Sequence, residues 1–183
     1  MPELPEVETS RRGIEPHIID TQISRVVIRD RRLRWPVKKD IDRNLPGQIV
    51  TSVTRRAKYL LINTPKGTAI LHLGMSGSVA IVDHDTPAGV HDHVDIDFDS
   101  GKTLRFRDPR RFGSLHWSKK PLEHKLLKSL GPEPLGDEFD GDYLWTRSRG
   151  RRVSIKQFIM NAEVVVGVGN IYASESLDRK SVV

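Results

Sequence analysis

"HVDIDFDSGKTLRFR" (93–107) decides the fold class. Val94, Ile96 and Phe98 alternate with Asp95, Asp97 and Asp99, and Leu104 and Phe106 alternate with Arg105 and Arg107. A period of two puts the apolar residues on one face of an extended chain and the charges on the other. Ser-Gly-Lys between the two runs supplies the turn, so the stretch reads as a hairpin with one buried and one charged face. "KYLLINTPKGTAILHL" (58–73) reads as a second hairpin, turned at Pro65–Lys66–Gly67. "RVVIRD" (25–30), "IVTSV" (49–53) and "SVAIV" (78–82) add further short strands. Strands at this spacing predict an antiparallel sandwich or barrel.

The residues on either side are of another kind. At the N-terminus Leu4, Val7, Ile14 and Ile18 recur at helical spacing behind Pro5 and Glu6, and Pro16 predicts an end near residue 15. "LGPEPLGDEFDG" (130–141) interrupts the strand pattern with prolines and glycines and reads as a linker. "SIKQFIMN" (154–161) is helix-like, "AEVVVGVG" (162–169) a turn region, and a further helix is predicted to begin at an N-capping Asn170. The expected class is α+β: an antiparallel β-sandwich with an N-terminal helix, then the start of a helical domain. The predicted division is a sandwich domain over 1–130, a linker over 131–141 and a second domain over 142–183.

The 183 residues carry 30 Lys and Arg against 24 Asp and Glu, a formal charge of +6. Basic residues bunch in "RDRRLRW" (29–35), "RRAK" (55–58), "RFRDPRR" (105–111) and "RSRGRR" (147–152). Clusters spaced by strands can converge on one face, as phosphate binding requires. There is no cysteine, which excludes disulfides and thiolate zinc sites within these residues. His72 and the "HDHVD" stretch (91–95) invite a metal reading, but no third ligand pair is evident, so no metal is expected. No apolar run is long enough to span a membrane and no signal-peptide core is present, which makes the cytoplasm the default compartment.

The opening "MPELPEVE" (1–8) admits two readings. Proline in the first turn and acids at the positive end of the dipole suit a helix start. Pro2 would also become a free secondary amine if Met1 is trimmed. An α-amino group titrates near pH 7.7–8, so roughly a tenth of it is unprotonated at pH 7, against well under 0.1% of an ordinary lysine. That makes a terminal amine a good Schiff-base nucleophile, and a proline iminium cannot shed its charge.

Four separated motifs bear on the choice: "PELPEVE" (2–8), "RRAKYLL" (55–61), "HLGMSG" (72–77) with "DPRRFG" (108–113), and "VVGVGNIYASE" (165–175). In their order and spacing they resemble the formamidopyrimidine-DNA glycosylases, and the resemblance extends over residues 1–177. It implies excision of oxidised purines, such as formamidopyrimidine and 8-oxoguanine, from DNA, followed by lyase cleavage of the abasic site by β,δ-elimination. It also implies that Pro2 attacks C1′ of the damaged nucleotide, that Glu3 handles protons at the sugar, and that Glu6 orients the site. Lys58 would assist elimination and contact phosphate.

Met75, Arg110 and Phe112 correspond to the wedge that fills the duplex when a base is extruded. His91, Arg110, Arg151 and Asn170 correspond to DNA contacts, with Gly167 and Gly169 letting the backbone approach phosphate and His72 supporting the wedge. The helices after 141 would be the start of a helix–two-turn–helix domain. The family's zinc sits in a C-terminal four-cysteine finger that these residues do not include, so the chain is expected to be a shortened member without a cofactor. "DRKSVV" (178–183) departs from the family pattern. The expected partner is damaged double-stranded DNA, met by a monomer at the bacterial nucleoid. Two alternatives stay open: a non-catalytic DNA-binding remnant, and an endonuclease VIII-type enzyme for oxidised pyrimidines. Leu4, where the latter has glycine, favours the purine branch.

Overall fold

The computed structural model describes residues 2–178; most of the "DRKSVV" tail lies outside the described residues. The chain forms two compact units, residues 1–124 and 125–183. The first holds the predicted sandwich. Its helix α1 spans Leu4–Ile18, and its strands are β1 (Ile23–Ile28), β2 (Ser52–Arg56), β3 (Tyr59–Thr64), β4 (Gly67–His72), β5 (Ser78–Asp83), β6 (Asp92–Phe98), β7 (Lys102–Arg107) and β8 (Ser114–Ser118). A short helix α2 (Asp40–Asn44) lies between β1 and β2. One antiparallel sheet runs β1-β6-β7-β5 and the other β2-β3-β4-β8.

The apolar sides of the two sheets meet in one core, with Val94, Ile96, Phe98, Leu104 and Phe106 from the first and Leu60, Ile62, Ala69, Leu71 and Leu115 from the second. Helix α1 adds Val7, Ile14 and Ile18 to that core. Pro16 does not end α1 near residue 15 as expected. It lies inside the last turn, where it forgoes only its own N–H bond to the preceding turn; the Ile19 N–H still bonds the Glu15 carbonyl, and Ile18 is fully buried against the core.

The 93–107 hairpin forms as predicted, with Ile96 opposite Leu104 and Asp95 opposite Arg105. Its charged face, however, is not a solvated one. Asp95, Asp97 and Arg105 are all buried, because Arg105 lies across the hairpin onto Asp95 (Nε–Oδ1 3.0 Å, Nη2–Oδ2 2.9 Å) and Arg29 of the neighbouring segment reaches the same carboxylate at 2.7 Å. Burial raises the Asp95 pKa, but hydrogen bonds from the two guanidinium groups outweigh it and hold the carboxyl below its usual range.

The second unit contains α3 (Gly141–Ser148), α4 (Ile155–Ile159) and α5 (Asn170–Leu177). Asp140 caps α3 by accepting from the Tyr143 N–H at 2.7 Å, and Ser154 caps α4 by accepting from the Gln157 N–H. Phe158, Ile159, Val164 and Ala173 form a small core, closed by Leu144 and Val168. The expected linker 131–141 is not a free connection. The Gly131 N–H donates to the Ala162 carbonyl at 2.8 Å and the Val166 N–H to the Pro132 carbonyl at 3.1 Å, so its start is tied into the turn before α5. The units divide between His124 and Lys125, rather than at 130. Asn170 is not the cap of α5. Gly169, with extended backbone, holds that position, and Asn170 is the first helical residue, exposed to solvent.

Candidate active site

Helix α1 and the β2–β3 turn build the first part of the site. Pro2 immediately precedes Glu3, which takes the N-cap position of α1. The Glu3 N–H donates to Glu6 Oε2 at 2.9 Å, and the Glu3 side chain, at the positive end of the helix dipole, is only 2% exposed. Strands β2 and β3 pair from Arg56 opposite Tyr59, which leaves Ala57 and Lys58 as a two-residue turn. Such a turn needs left-handed backbone, and Ala57 adopts it at φ +53° although it has a Cβ.

Arg55 braces this turn. It donates to the Ala57 carbonyl at 2.8 Å and to Glu8 Oε2 of α1 at 3.3 Å, while Glu8 also holds Arg11 and Arg12. The result is a Lys58 half-buried beside the helix start. Burial pushes its pKa below the ordinary lysine range, and the carboxylates of Glu3 and Glu6 pull it partly back up. Glu3, Glu6 and Lys58 are thus one electrostatic group next to Pro2.

The second part is a pair of loops, 73–77 and 108–113. Met75 is 42% and Phe112 41% exposed, and the Arg110 guanidinium carbon lies 4.8 Å from the centroid of the Phe112 ring. The loops touch backbone to backbone. A Cβ on Gly74, at φ +70°, would fall 2.4 Å from Gly113 N, and one on Gly113 would fall 2.7 Å from the His72 carbonyl oxygen. A groove of about 570 Å³ beside them is lined by Leu33, Arg34, His72, Met75, Arg111 and Phe112. Arg111, between Arg110 and Phe112, is also left-handed at φ +56°. Two of the non-glycine residues with positive φ therefore flank candidate functional residues, where such strain tends to be retained.

His72 accepts a hydrogen bond from the Gly74 N–H through Nδ1 at 3.0 Å and packs against Tyr59. Burial, assisted by the positive charges of Lys58 and Arg34, lowers its pKa to about 4, so it is neutral at pH 7. His91 is partly exposed, and its carbonyl takes the Asp108 N–H at 3.0 Å. Among the described residues no group of three or more His, Asp or Glu side chains is placed to hold a metal.

The first unit therefore brings together Pro2, Glu3 and Lys58, and separately Met75, Arg110 and Phe112. Arg151 and Asn170 belong to the second unit, where both are exposed, Arg151 just before α4 and Asn170 at the start of α5. The basic clusters converge less than their density suggests: Arg29 and Arg105 pair with Asp95, Arg31 with Asp42, and Arg32 and Arg111 with Asp30. Nothing in the local sequence signals the bracing of the turn by Arg55 and Glu8, whereas the Asp-Pro pair at 108–109, whose carboxylate bonds Ser76 and Gly113, is a turn signal.

A capped helix start bearing a proline, a half-buried lysine on a hairpin turn, and a two-sheet sandwich followed by a helical unit define a class of fold and site seen in known proteins. The formamidopyrimidine-DNA glycosylase N-terminal domain family matches residues 1–115 and the formamidopyrimidine-DNA glycosylase H2TH domain family matches residues 130–182. The chain is 63% identical over 177 residues to the formamidopyrimidine-DNA glycosylase of Stutzerimonas stutzeri (strain A1501), covering 97% of this chain and 66% of the relative. It is 61% identical, with the same coverage, to that of Pseudomonas entomophila (strain L48).

A crystal structure of the Lactococcus lactis enzyme bound non-covalently to DNA containing an AP site superimposes with a TM-score of 0.87 at 32% identity, covering 96% of this chain and 68% of that one. The wild-type Lactococcus lactis enzyme with DNA containing N7-benzyl-Fapy-dG gives the same TM-score and identity, covering 96% and 66%. The chain belongs to the formamidopyrimidine-DNA glycosylase family. It spans about two thirds of the length of the curated relatives it matches.

Proposed function

We propose that this chain carries the base-excision chemistry of its family: removal of oxidised purines from double-stranded DNA, then lyase cleavage through a Schiff base on Pro2. The observation that carries the reading is the grouping of Glu3, Glu6 and a Lys58 of lowered pKa at the helix start that follows Pro2. With Met1 removed, the Pro2 nitrogen lone pair attacks C1′. The glycosidic electrons leave with the damaged base, which takes a proton, and the sugar ring opens to an iminium. Loss of a C2′ proton then expels the 3′ phosphate, and a second elimination expels the 5′ phosphate. Glu3 serves as the proton carrier at the sugar, and Lys58 steadies phosphate and assists elimination.

Met75, Arg110 and Phe112 would fill the space left by the extruded base. His91, Arg151 and Asn170 are assigned to phosphate. The assigned partner is damaged DNA of the bacterial nucleoid, met by a monomer, with no cofactor in this chain. The proposed domain roles are chemistry in the sandwich and DNA grip in the helical unit.

Borohydride trapping tests this. Protein whose Met1 removal is verified by mass is mixed with a duplex containing 8-oxoguanine opposite cytosine, and separately with an abasic duplex. Covalent adducts on both are expected. An adduct on the abasic duplex alone confines the activity to lyase chemistry, and no adduct on either overturns the enzymatic reading in favour of a DNA-binding remnant.

A further inference from the structure

We propose that Asp108 is a positioning residue that clamps the loop carrying Met75 to the loop carrying Arg110 and Phe112, so that the wedge acts as one body. The wedge's role rests on the function proposed above; the clamp itself does not. Asp108 is completely buried, and its side chain bonds to Ser76 and Gly113 rather than to Pro2, Glu3 or Lys58. Its two carboxylate oxygens divide between the loops. Oδ1 accepts from Ser76 Oγ at 2.9 Å, and Oδ2 accepts from the Gly113 N–H at 2.7 Å.

Its main chain extends the clamp. The Asp108 carbonyl meets His93 Nε2 at 2.8 Å and accepts the Arg111 N–H at 3.2 Å, and its own N–H goes to the His91 carbonyl. Ser76 Oγ in turn accepts the Arg110 N–H at 3.3 Å, so Met75's neighbour is bonded to both Asp108 and Arg110.

A carboxylate suits this position for a geometric reason. The loops meet at Gly74 and Gly113 with no room for a Cβ, and both groups that face the Asp108 side chain, the Ser76 hydroxyl and the Gly113 N–H, are donors, so a carboxylate answers both. Hydrogen bonds to a buried charge are the strong kind, and leaving the Gly113 N–H unpaired in that setting is costly. Asparagine can keep the bond from Gly113 through its oxygen and give its amide to Ser76 Oγ, so it retains part of the clamp. Alanine retains none.

The test compares Asp108→Asn, Asp108→Ala and Ser76→Ala in the full chain by hydrogen exchange and by two activities. The clamp predicts that Ser76→Ala and Asp108→Ala release the amides of both loops, 74–77 and 110–113, together, with Asp108→Asn between them and the wild type. Release confined to the loop that carries the substitution overturns it, whether or not the protein is an enzyme. On DNA, excision of 8-oxoguanine from duplex falls about tenfold or more in Asp108→Ala, the scale of one lost charge-assisted hydrogen bond. Trapping on a single-stranded abasic oligonucleotide stays close to wild type, and Asp108→Asn recovers part of the loss. Equal loss on both substrates in the folded Ser76→Ala variant would overturn the positioning role. A wild type that traps neither substrate would refute the proposed function while the exchange result still decides the clamp.

Discussion

Arg110 lies over the ring of Phe112, the guanidinium carbon 4.8 Å from the ring centroid, with the left-handed Arg111 between them in sequence. Alternate residues of a tight turn thereby point the same way, beside an exposed Met75. A cation stacked on an apolar ring is suited to entering a base stack from the groove while remaining near phosphate. Met75→Ala and Phe112→Ala are expected to reduce excision from duplex about tenfold or more and to leave elimination on a pre-formed abasic site within about threefold, since unstacking costs a few kcal/mol only when a base must be extruded. Single-turnover excision and lyase assays on matched oligonucleotides check this; equal losses would mean that neither side chain acts as a wedge.

Lys58 titrates under two opposing influences, burial that lowers its pKa and the charges of Glu3 and Glu6 that raise it. Glu6→Gln removes one of those charges while keeping an acceptor for the Glu3 N–H, so the helix start survives. The Lys58 pKa must then fall further. Whichever protonation state of Lys58 is active, the limb of the pH–rate profile that it governs moves to lower pH. The profile of strand cleavage on an abasic duplex measures it, and an unmoved limb would remove Lys58 from the catalytic group.

Much of this molecule was legible in its sequence because strand periodicity is local. The 93–107 alternation needs no knowledge of the rest of the chain to predict a hairpin, and it appears with its apolar face in the core. What the pattern could not reveal depends on register. Only the pairing of Asp95 with Arg105, and the approach of Arg29 to the same carboxylate, turns a charged face into a buried network. The left-handed Ala57 and Arg111 were illegible for a different reason: alanine and arginine carry a Cβ that disfavours that conformation, so no residue preference announces it. Asn170 illustrates the converse, a strong capping residue displaced by one position because Gly169 before it already supplies the extended backbone that a cap requires.

His72 makes the fold sensitive to acid. Its pKa of about 4 in the folded chain lies below the ordinary 6.5, chiefly through burial, so unfolding takes up a proton between those values. Stability from this residue is undiminished above pH 6.5 and is lost as pH falls toward 4, by about 2 kcal/mol at pH 4.5. His72→Gln keeps an acceptor for the Gly74 N–H but does not titrate. Urea unfolding at pH 7 and pH 4.5 is expected to show a smaller loss for the variant by about that amount; parallel losses would mean that His72 is solvated.

Gly131 distinguishes a tied segment from a free linker. A Cβ there would lie 2.6 Å from the Glu163 carbonyl oxygen and 2.9 Å from the backbone carbon of Val164, whereas one on Gly136 meets nothing nearer than 3.5 Å. Backbone cannot swing aside as a flexible side chain can, so Gly131→Ala must spread the 131–132 segment from the turn at 162–166 and strain the hydrogen bonds that join them. Overpacking of this kind costs about 1–3 kcal/mol. Gly136→Ala, in the same proline-rich stretch, is expected to be near neutral. Hydrogen exchange of the amides at 131 and 166 reads both variants. Faster exchange in Gly131→Ala alone establishes that the stretch is part of the helical unit, and equal behaviour of the two variants would return it to the status of a linker.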